Sequence, residues 1–374
     1  MINLAVVFGG ESCEHDISVI TGLQLISKVN RYIYNVIPIY IDKNGFWQTG
    51  KDIMDIDNYP NNLGKLTRVG LFGGSNTLYL LKNKKAKKYL DIDVAVLCLH
   101  GINGEDGTLA SIMEHSKIPY INSSILASSV SMDKALFNDV CKGLGIDKVD
   151  YLSVFQSNFE RNRESVIKRV SEFGLPIIIK PSRQGSSIGI EICKDKNDLE
   201  RMLSSAFEFD TRVVIERLLN VKKEVNIACF LNKGELIFSK TEEPIKSTDF
   251  LNFNDKYQSN SSGMESMKRI MPANITSETE LKIKEIAETL YYGLDMFGVV
   301  RFDFLIDEND NVYINEVNTI PGSMANYLFG NDYSYSTLLE LWISNALIRF
   351  DNKKLLNHVY NSKVLEQGIS GIKK

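Results

Sequence analysis

Apolar runs and helix-like spacing alternate at the start of the chain. An apolar run at residues 2–8 leads into Gly9 and Gly10, and residues 17–29 then carry apolar side chains at roughly every third position. A short, wholly apolar run is typical of a strand buried in a parallel sheet, and the three-residue spacing is typical of a helix. Strand, glycine turn and helix together predict the opening of a βαβ unit.

Further apolar runs extend this first unit. Residues 35–42 and 93–99 predict two more strands, and residues 118–121 predict a closing strand after a helix at 109–115. The intervening stretch, 43–90, is rich in Gly, Asn and Lys and predicts irregular structure. The fold class expected for the chain is therefore α/β, beginning with a parallel sheet.

A loop of small residues interrupts an apolar stretch near the middle of the chain. Residues 175–181 predict a strand carrying Lys180, residues 182–189 a Gly/Ser loop, and residues 191–193 a returning strand. The backbone amides and hydroxyls of such a flap can cover phosphates, to which a lysine adds a point charge. The alternative for Lys180 is a surface lysine that extends its amine to solvent.

A long polar stretch separates this region from the next apolar runs. Residues 241–272 are rich in Ser, Asn, Asp and Lys, with Lys256 and Tyr257 near the middle. A loop of this length in a compact domain is usually functional or disordered, and we interpret it as a lid. Amphipathic helices are predicted at 277–290 and 336–350.

Polar residues occupy regular positions in a predicted β-hairpin between those two helices. Two apolar runs flank the polar turn 307–311, and within them Arg301 and Asp303, like Glu316 and Asn318, are two residues apart and share a face. Oxygen ligands without His or Cys suit Mg²⁺. We interpret the hairpin as the metal and phosphate platform of an ATP-using enzyme; the alternative is a hairpin with a charged solvent face.

Composition narrows the classes of function. The net charge of −4 over 374 residues, without a dominant basic patch, disfavours nucleic acid as a partner. Five scattered cysteines without a C-x-x-C pair indicate reduced thiols and a cytoplasmic location. The chain starts without a signal peptide and has no apolar run long enough for a membrane span.

In the first glycine turn, Glu14 is interpreted as a ligand-binding residue, whereas Asp16 is equally well explained as a helix cap.

Six motifs, taken together and in order, resemble the ATP-grasp superfamily, and most closely the D-alanine–D-alanine ligases, including the D-Ala–D-Ser and D-Ala–D-lactate ligases of vancomycin resistance. The motifs are Gly9-Gly-Glu-Ser-Cys-Glu-His-Asp-Ile-Ser18, His100-Gly-Ile-Asn-Gly-Glu-Asp-Gly107, Lys180-Pro-Ser-Arg-Gln-Gly-Ser-Ser-Ile-Gly189, Asp255-Lys-Tyr257, Arg301-Phe-Asp303 and Asn315-Glu-Val-Asn-Thr-Ile-Pro-Gly322. The resemblance covers about residues 1–350. It implies a three-domain ATP-grasp fold: a Rossmann-like domain at 1–123, a central domain at 124–216, and a C-terminal domain at 217–374 with a mobile lid at about 241–272.

The resemblance also implies roles for individual residues. Those implied to bind ATP are Lys134, Lys180, Ser187, Glu216, Leu219, Glu224 and Lys256. Asp303, Glu316 and Asn318 are implied to hold two Mg²⁺ (or Mn²⁺) ions. The implied catalytic residues are Glu14, Ser186, Tyr257, Arg301 and Gly322, with His100, Ser323 and Tyr327 beside the substrates. The family further implies D-alanine and a second D-amino acid as substrates, a D-alanyl phosphate intermediate, a role in peptidoglycan precursor synthesis, and a homodimer.

The chain departs from the family after Gly322. The segment reads Ser323-Met-Ala-Asn-Tyr-Leu-Phe329, so that Tyr327 falls where the ligases have a serine for the second substrate's carboxylate. D-Alanine is the first choice for that substrate and D-serine the second; D-lactate is disfavoured by the Lys256–Tyr257 pair. Another ATP-grasp carboxylate–amine ligase and a non-catalytic nucleotide-binding protein remain alternatives. A nicotinamide dehydrogenase is disfavoured, because the glycine turn lacks the G-x-G-x-x-G spacing.

Overall fold

The computed structural model describes residues 1–59, 63–245, 268–330, 332–360 and 362, and these form an α/β fold with three larger sheets and one small ribbon. The described strands are β1 (Ile2–Gly9), β2 (Tyr34–Ile41), β3 (Trp47–Thr49), β4 (Thr67–Leu71), β5 (Thr77–Lys82), β6 (Lys85–Asp91), β7 (Val94–Leu97), β8 (Tyr151–Phe155), β9 (Ile177–Pro181), β10 (Glu191–Cys193), β11 (Arg212–Arg217), β12 (Val221–Asn232), β13 (Glu235–Phe238), β14 (Glu243–Pro244), β15 (Arg269–Ile270), β16 (Val300–Asp307) and β17 (Val312–Asn318). The described α-helices are α1 (His15–Lys28), α2 (Thr108–His115), α3 (Ile125–Met132), α4 (Lys134–Gly143), α5 (Gln156–Arg161), α6 (Arg163–Phe173), α7 (Leu199–Ala206), α8 (Ser277–Gly293) and α9 (Tyr335–Lys354).

The first sheet has the strand order β6-β5-β4-β3-β2-β1-β7. Strand β1 pairs in parallel with β2 and β7, which confirms the predicted βαβ opening. The prediction of irregular structure at 43–90 is wrong, because β3 to β6 continue the sheet as antiparallel strands. Strand β6 is mostly exposed and so lacks an apolar pattern; the β5–β6 turn is instead marked by left-handed Asn83 (φ 52°) and Lys84 (φ 60°). The predicted strand at 118–121 is reduced to one bridge between Ala95 and Tyr120.

Helix α1 packs unusually close to β1, and one glycine makes this possible. A Cβ added at Gly22 would lie 2.6 Å from the Cβ of Phe8, which is fully buried in β1. The helix begins immediately after Glu14, in the turn that follows β1. The absence of a side chain at Gly22 therefore helps to set the position of Glu14 relative to the sheet.

The second and third sheets are antiparallel and have four strands each, in the orders β10-β9-β11-β8 and β13-β12-β16-β17. The antiparallel pairing of β9 with β10 confirms the predicted flap hairpin. That of β16 with β17 confirms the hairpin predicted to carry the acidic residues. Helices α3 and α4 precede the second sheet in sequence, yet Ala127 and Phe137 pack in the core of the third sheet with Phe302. Helices α3 and α4 are separated at Asp133, whose carboxylate caps α4.

Helix α9 joins the first and third sheets. Its residues Leu338 and Trp342 are buried in the same apolar cluster as Val96 of β7 and Phe230 of β12. Among the described residues, no helix is both long and apolar enough to cross a membrane.

The ends of the predicted lid are ordered. Strand β14 pairs with β15 as a two-stranded antiparallel ribbon, so the stretch 241–272 is not structureless at its two ends. Residues 246–267, which include Lys256 and Tyr257, lie outside the described residues.

Candidate active site

The polar residues of the β16–β17 hairpin are paired across the two strands. Arg301 lies opposite Asn318, and Asp303 lies opposite Glu316. On the other side of β16, Asn226 of β12 also pairs with Asp303. The period-2 spacing of these residues thus brings them onto one surface of the third sheet, as predicted from the sequence.

Arg301 and Asp303 form a buried, two-point ion pair. The guanidinium Nε and Nη2 donate to the two carboxylate oxygens of Asp303, each at 2.7 Å. Burial disfavours the charged guanidinium, but the Asp303 carboxylate outweighs this and holds the pKa of Arg301 well above its ordinary value. The arginine is therefore a fixed cation with a defined orientation.

The Asp303 carboxylate of this ion pair lies next to a second carboxylate and an amide. The Asn318 amide nitrogen donates to Asp303 Oδ2 at 3.1 Å, and Glu316 lies opposite Asp303 across the hairpin. In the parts of the chain that the structure describes, no group of three or more His, Cys, Asp or Glu residues is placed to hold a metal ion. The donor set is thus two carboxylates and an amide oxygen, all hard oxygen ligands, which fits Mg²⁺.

Lys180 is buried in the second sheet and paired with an acid. Its Nζ lies 2.6 Å from Glu216 Oε2, and the Asn138 amide donates to Glu216 Oε1 at 3.1 Å. Burial opposes ionisation of Glu216, but Lys180 and Lys148 outweigh it and lower the pKa of Glu216 to about 2. With only 9% of its surface exposed, Lys180 is not the solvent-directed lysine of the alternative interpretation.

Lys134, at the start of α4, links the flap to the acidic hairpin. Its Nζ donates to the Gln184 carbonyl at 2.5 Å, and it lines one cavity together with Gly185, Glu316 and Asn318. Burial lowers the pKa of Lys134, although the Glu316 carboxylate opposes this. The flap, the Lys134 amine and the acids of the hairpin therefore share one space.

Lys148 is a further half-buried lysine at this site, and no sequence motif pointed to it. Its Nζ donates to the carbonyls of Ile314 at 2.6 Å and Asn315 at 3.1 Å, just before Glu316. Burial lowers the pKa of Lys148, and the Glu216 carboxylate opposes this. A lone lysine in a polar stretch belongs to no motif, so its contacts 166 residues away carried no signal in the sequence.

Glu14 connects the first domain to the flap. The Ser186 hydroxyl donates to Glu14 Oε1, and Glu14 is only 6% exposed. Ser186 and Ser187 both have left-handed backbone conformations, with φ of 51° and 60°. Such conformations are unusual for residues other than glycine and concentrate at functional sites.

His100 and Ser323 both contact helix α1. His100 Nε2 is 2.9 Å from the hydroxyl oxygen of Thr21, and the Ser323 hydroxyl donates to the Gln24 side chain at 2.7 Å. Ser323 is the first of three successive left-handed residues, with φ between 50° and 52°, in the 3₁₀ segment Gly322–Phe329. Because each such residue costs about 1–2 kcal/mol, contacts such as the Ser323–Gln24 bond are needed to hold this turn.

The Tyr327 side chain lies in a polar cluster at the base of the predicted lid. Its hydroxyl donates to Glu242 Oε2 at 3.2 Å, and the Arg269 guanidinium carbon lies 4.3 Å from the centre of its ring. Arg269 also pairs with Glu242 Oε1 at 3.2 Å. Glu242 and Arg269 were not identified from the sequence, because each stands alone in a polar stretch.

The remaining predicted nucleotide-binding residues lie along the connection between the second and third sheets. Leu219 lines a cavity of about 420 Å³ together with Lys148 and Tyr313. Glu224 lies on β12 opposite Leu305 of β16. Leu219 therefore lies beside Lys148, and Glu224 lies on the strand next to β16.

Comparison with known proteins shows which family has a similar sequence. Residues 3–123 match the family model described as D-ala D-ala ligase N-terminus, and residues 140–337 match D-ala D-ala ligase C-terminus. The chain is 36% identical over 362 residues to the D-alanine–D-alanine ligase of Thermosipho melanesiensis, covering 96% of this chain and 97% of the relative. The corresponding ligase of Geobacillus thermodenitrificans is 32% identical over 365 residues, or 96% of this chain and 98% of the relative.

Solved structures give the same picture. The D-alanine–D-alanine ligase of Helicobacter pylori superposes with a TM-score of 0.75 at 31% identity, covering 92% of this chain and 98% of that one. The VanG D-Ala:D-Ser ligase of Enterococcus faecalis superposes with a TM-score of 0.78 at 28% identity, covering 92% of this chain and 99% of that one. The similarity therefore spans all three of the larger sheets.

Proposed function

The chain belongs to the D-alanine–D-alanine ligase family of ATP-grasp enzymes, and on this premise we propose that it joins two D-alanine molecules at the expense of ATP. The family consists of ATP-dependent ligases that make peptidoglycan precursors. The observation that most strongly supports the proposal is the shared surface of Arg301, Asp303, Glu316 and Asn318. It combines a fixed cation with oxygen ligands for a metal beside the half-buried amine of Lys134.

The chemistry requires activation of a carboxylate. A carboxylate is a poor electrophile, so the carboxylate of the first D-alanine attacks the terminal phosphorus of ATP. The bond to the β-phosphate oxygen breaks, ADP leaves, and the D-alanine becomes an acyl phosphate. The amine of the second amino acid then attacks the acyl carbon, the bond to phosphate breaks, and inorganic phosphate leaves. The acyl phosphate is readily hydrolysed, which gives a physical reason for a lid that excludes water.

We assign the substrate side of this reaction to five residues. Glu14, held by Ser186, binds the ammonium of the first D-alanine, and His100 lies beside the same substrate. Arg301 and the backbone amide of Gly322 stabilise the oxyanion that forms when the amine attacks. The two-point contact between Arg301 and Asp303 supports this role, because it leaves the guanidinium little freedom to turn away.

We assign the nucleotide side to amines and acids of the second and third sheets. Lys134, Lys180 and Ser187 contact the phosphates, Glu216 and Leu219 line the adenine, and Glu224 binds the ribose. Asp303 and Glu316 would hold one Mg²⁺ or Mn²⁺ ion, and Glu316 and Asn318 would hold a second. When bound, such ions neutralise charge on the transferred phosphoryl group. Lys256 and Tyr257 are proposed to act from the lid.

The second substrate is proposed to be D-alanine, with D-serine as the alternative. D-Alanine is the substrate named for the curated relatives, whereas the VanG structure supports D-serine. The test is phosphate release from ATP with D-alanine alone, and then with D-serine or D-lactate added, with the dipeptide identified by mass spectrometry. Strong release with D-alanine alone is expected; release that is independent of D-amino acids would contradict the proposal.

Three broader features are also proposed. The domains are taken as 1–123, 124–216 and 217–374, with the lid at about 241–272. We place the enzyme in the cytoplasm, where ATP is available and where cysteines stay reduced; all five are free thiols here. A homodimer is proposed from the family, and light scattering coupled to size-exclusion chromatography measures it directly.

A further inference from the structure

Glu242, Arg269 and Tyr327 form a cluster between the β14–β15 ribbon and the turn that follows Gly322; Glu242 is buried and the other two are half-buried. Glu242 immediately precedes β14, and Arg269 lies in β15, so both ends of the lid contribute one residue. Tyr327 belongs to the segment Gly322–Phe329. We call these three side chains the lid-base cluster.

The lid-base cluster is in register with the acidic hairpin. The backbone of Glu242 exchanges two hydrogen bonds of 2.8 Å with Asn226, and Asn226 pairs with Asp303, which in turn pairs with Glu316. Arg301 lies close enough to influence the charge states of both Glu242 and Tyr327. The cluster is therefore a lateral extension of the catalytic surface.

Two contacts within the cluster hold the Tyr327 side chain in place, one at its hydroxyl and one over the face of its ring. A tyrosine has one O–H donor, and that of Tyr327 is directed at Glu242 Oε2 at 3.2 Å. Arg269 covers the ring face at 4.3 Å and neutralises Glu242 through a contact of 3.2 Å. Since Glu242 is only 2% exposed, removal of its cation would leave a buried charge.

The hydrogen bond to Glu242 limits how the Tyr327 side chain can contact a substrate. A hydroxyl already committed to Glu242 is a poor donor for a second carboxylate, so Tyr327 acts mainly through the volume of its ring. We propose that Glu242 and Arg269 are positioning residues that hold Tyr327 as a rigid wall of the second amino-acid subsite, which limits that subsite to the smallest D-amino acids. The inference rests on the proposed ligase function.

The test compares selectivity for the second amino acid among full-length variants. D-Alanine serves as first substrate, and D-alanine, D-serine and D-2-aminobutyrate compete as second, with dipeptides quantified by mass spectrometry. Tyr327→Phe keeps the ring and removes only the O–H, and Glu242→Gln keeps the shape and removes the charge. For both we expect the preference for D-alanine over D-2-aminobutyrate to fall about tenfold, the lower end of what one methylene is worth in a pocket.

The Michaelis constants separate positioning from general damage. In both variants the KM for the second amino acid is expected to rise several-fold, while the KM for ATP stays within about twofold of wild type. Arg269→Lys, which keeps the positive charge, should retain more of the preference than Arg269→Met. Glu243→Gln is the matched control, because Glu243 is also an acid of the lid ribbon but contacts Lys223 at 3.3 Å.

The selectivity measurements decide between the inference and its alternatives. Unchanged selectivity in folded Tyr327→Phe and Glu242→Gln overturns the inference, and so does an equal loss of activity towards all three amino acids. A wild-type enzyme that forms no dipeptide contradicts the ligase function itself, whereas a normal wild type with unaltered variants contradicts only the role of the lid-base cluster. Thermal unfolding of each variant verifies that the compared proteins are folded.

Discussion

At the scale of single residues, the site consists of charged groups buried in pairs. The two pairs with the best-defined geometry are Lys180 with Glu216 and Arg301 with Asp303. In each pair, removal of one partner leaves a buried charge, which typically costs about 3–5 kcal/mol. Substitutions at these positions therefore affect stability as well as activity, and the measurements must separate the two.

Glu216 should make stability depend on pH in the acid range. Its folded-state pKa is about 2, against an ordinary value of 4.5, so its contribution is fully present above about pH 4.5 and is lost as the pH falls towards 2. A difference of this size corresponds to about 3 kcal/mol. Urea unfolding at several pH values should show this loss in the wild type and a weaker one in Glu216→Gln. An exposed acid, Glu172, provides the control Glu172→Gln, for which the wild-type profile is expected.

Arg301→Ala should abolish most of the activity while leaving nucleotide binding. Loss of one oxyanion donor typically costs about 10²–10³ in rate, and we expect at least that decrease in kcat. Arg301→Lys keeps a charge but cannot make both contacts to Asp303, so it should recover little. Steady-state phosphate release together with calorimetric ATP binding measures both effects. Near-normal turnover in Arg301→Ala would exclude the proposed role.

At the scale of elements, helix α1 is the support of the substrate end of the site. It begins beside Glu14, and Thr21 and Gln24 along its length contact His100 and Ser323. One helix therefore sets the spacing between the first glycine turn, the second glycine-rich turn and the segment after the hairpin. A small movement of α1 along β1 would displace three predicted substrate-binding residues together.

Gly22→Ala should shift α1 and impair catalysis. The added methyl group would lie 2.6 Å from Phe8 Cβ, and overpacking of a core typically costs about 1–3 kcal/mol. We expect a lower free energy of unfolding and a raised KM for D-alanine. Gly143→Ala in α4 is the matched control, since nothing lies within 4 Å of its added Cβ; there the substitution should be neutral or stabilising. Equal stabilities of the two variants would contradict the close packing of α1.

At the scale of the whole molecule, the sheets share apolar cores across sequence-distant segments. Helix α9 packs on the first and third sheets, and α3 and α4 complete the third sheet although they come before the second. Trp342 is only 1% exposed, with its ring centre 6.0 Å from that of Phe230 in β12. The first and third sheets are therefore expected to lose structure together rather than one by one.

Trp342→Ala should weaken this coupling. Truncation of a buried aromatic side chain typically costs about 3–5 kcal/mol. We expect a lower thermal midpoint and, because α9 bridges two sheets, a broader transition in calorimetry. Ile348→Ala in the same helix is the comparison, since Ile348 is 57% exposed and its truncation should have little effect. A single, equally sharp transition at the wild-type temperature would rule out the bridging role.

Structural features could be predicted from the sequence where the spacing of residues within one segment determines them. The hairpin of Asp303 and Glu316 was predictable because period-2 spacing fixes which side chains share a face. Strand β6 was missed because an exposed strand has no apolar pattern, and its pairing depends on β5. Lys148, Glu242 and Arg269 were missed because their partners are distant in sequence, and a single charged residue has no period.

The position of α9 has a consequence for biosynthesis. Val96 is translated early, whereas Leu338 and Trp342, which lie in the same apolar cluster, leave the ribosome some 240 residues later. The first sheet emerges first but cannot bury this face until the helix 335–354 is available. Domains generally fold in order of synthesis, and here the N-terminal unit must wait with an exposed apolar surface. Nascent chains stalled before residue 335 should therefore be good chaperone clients, whereas chains released after 354 should not.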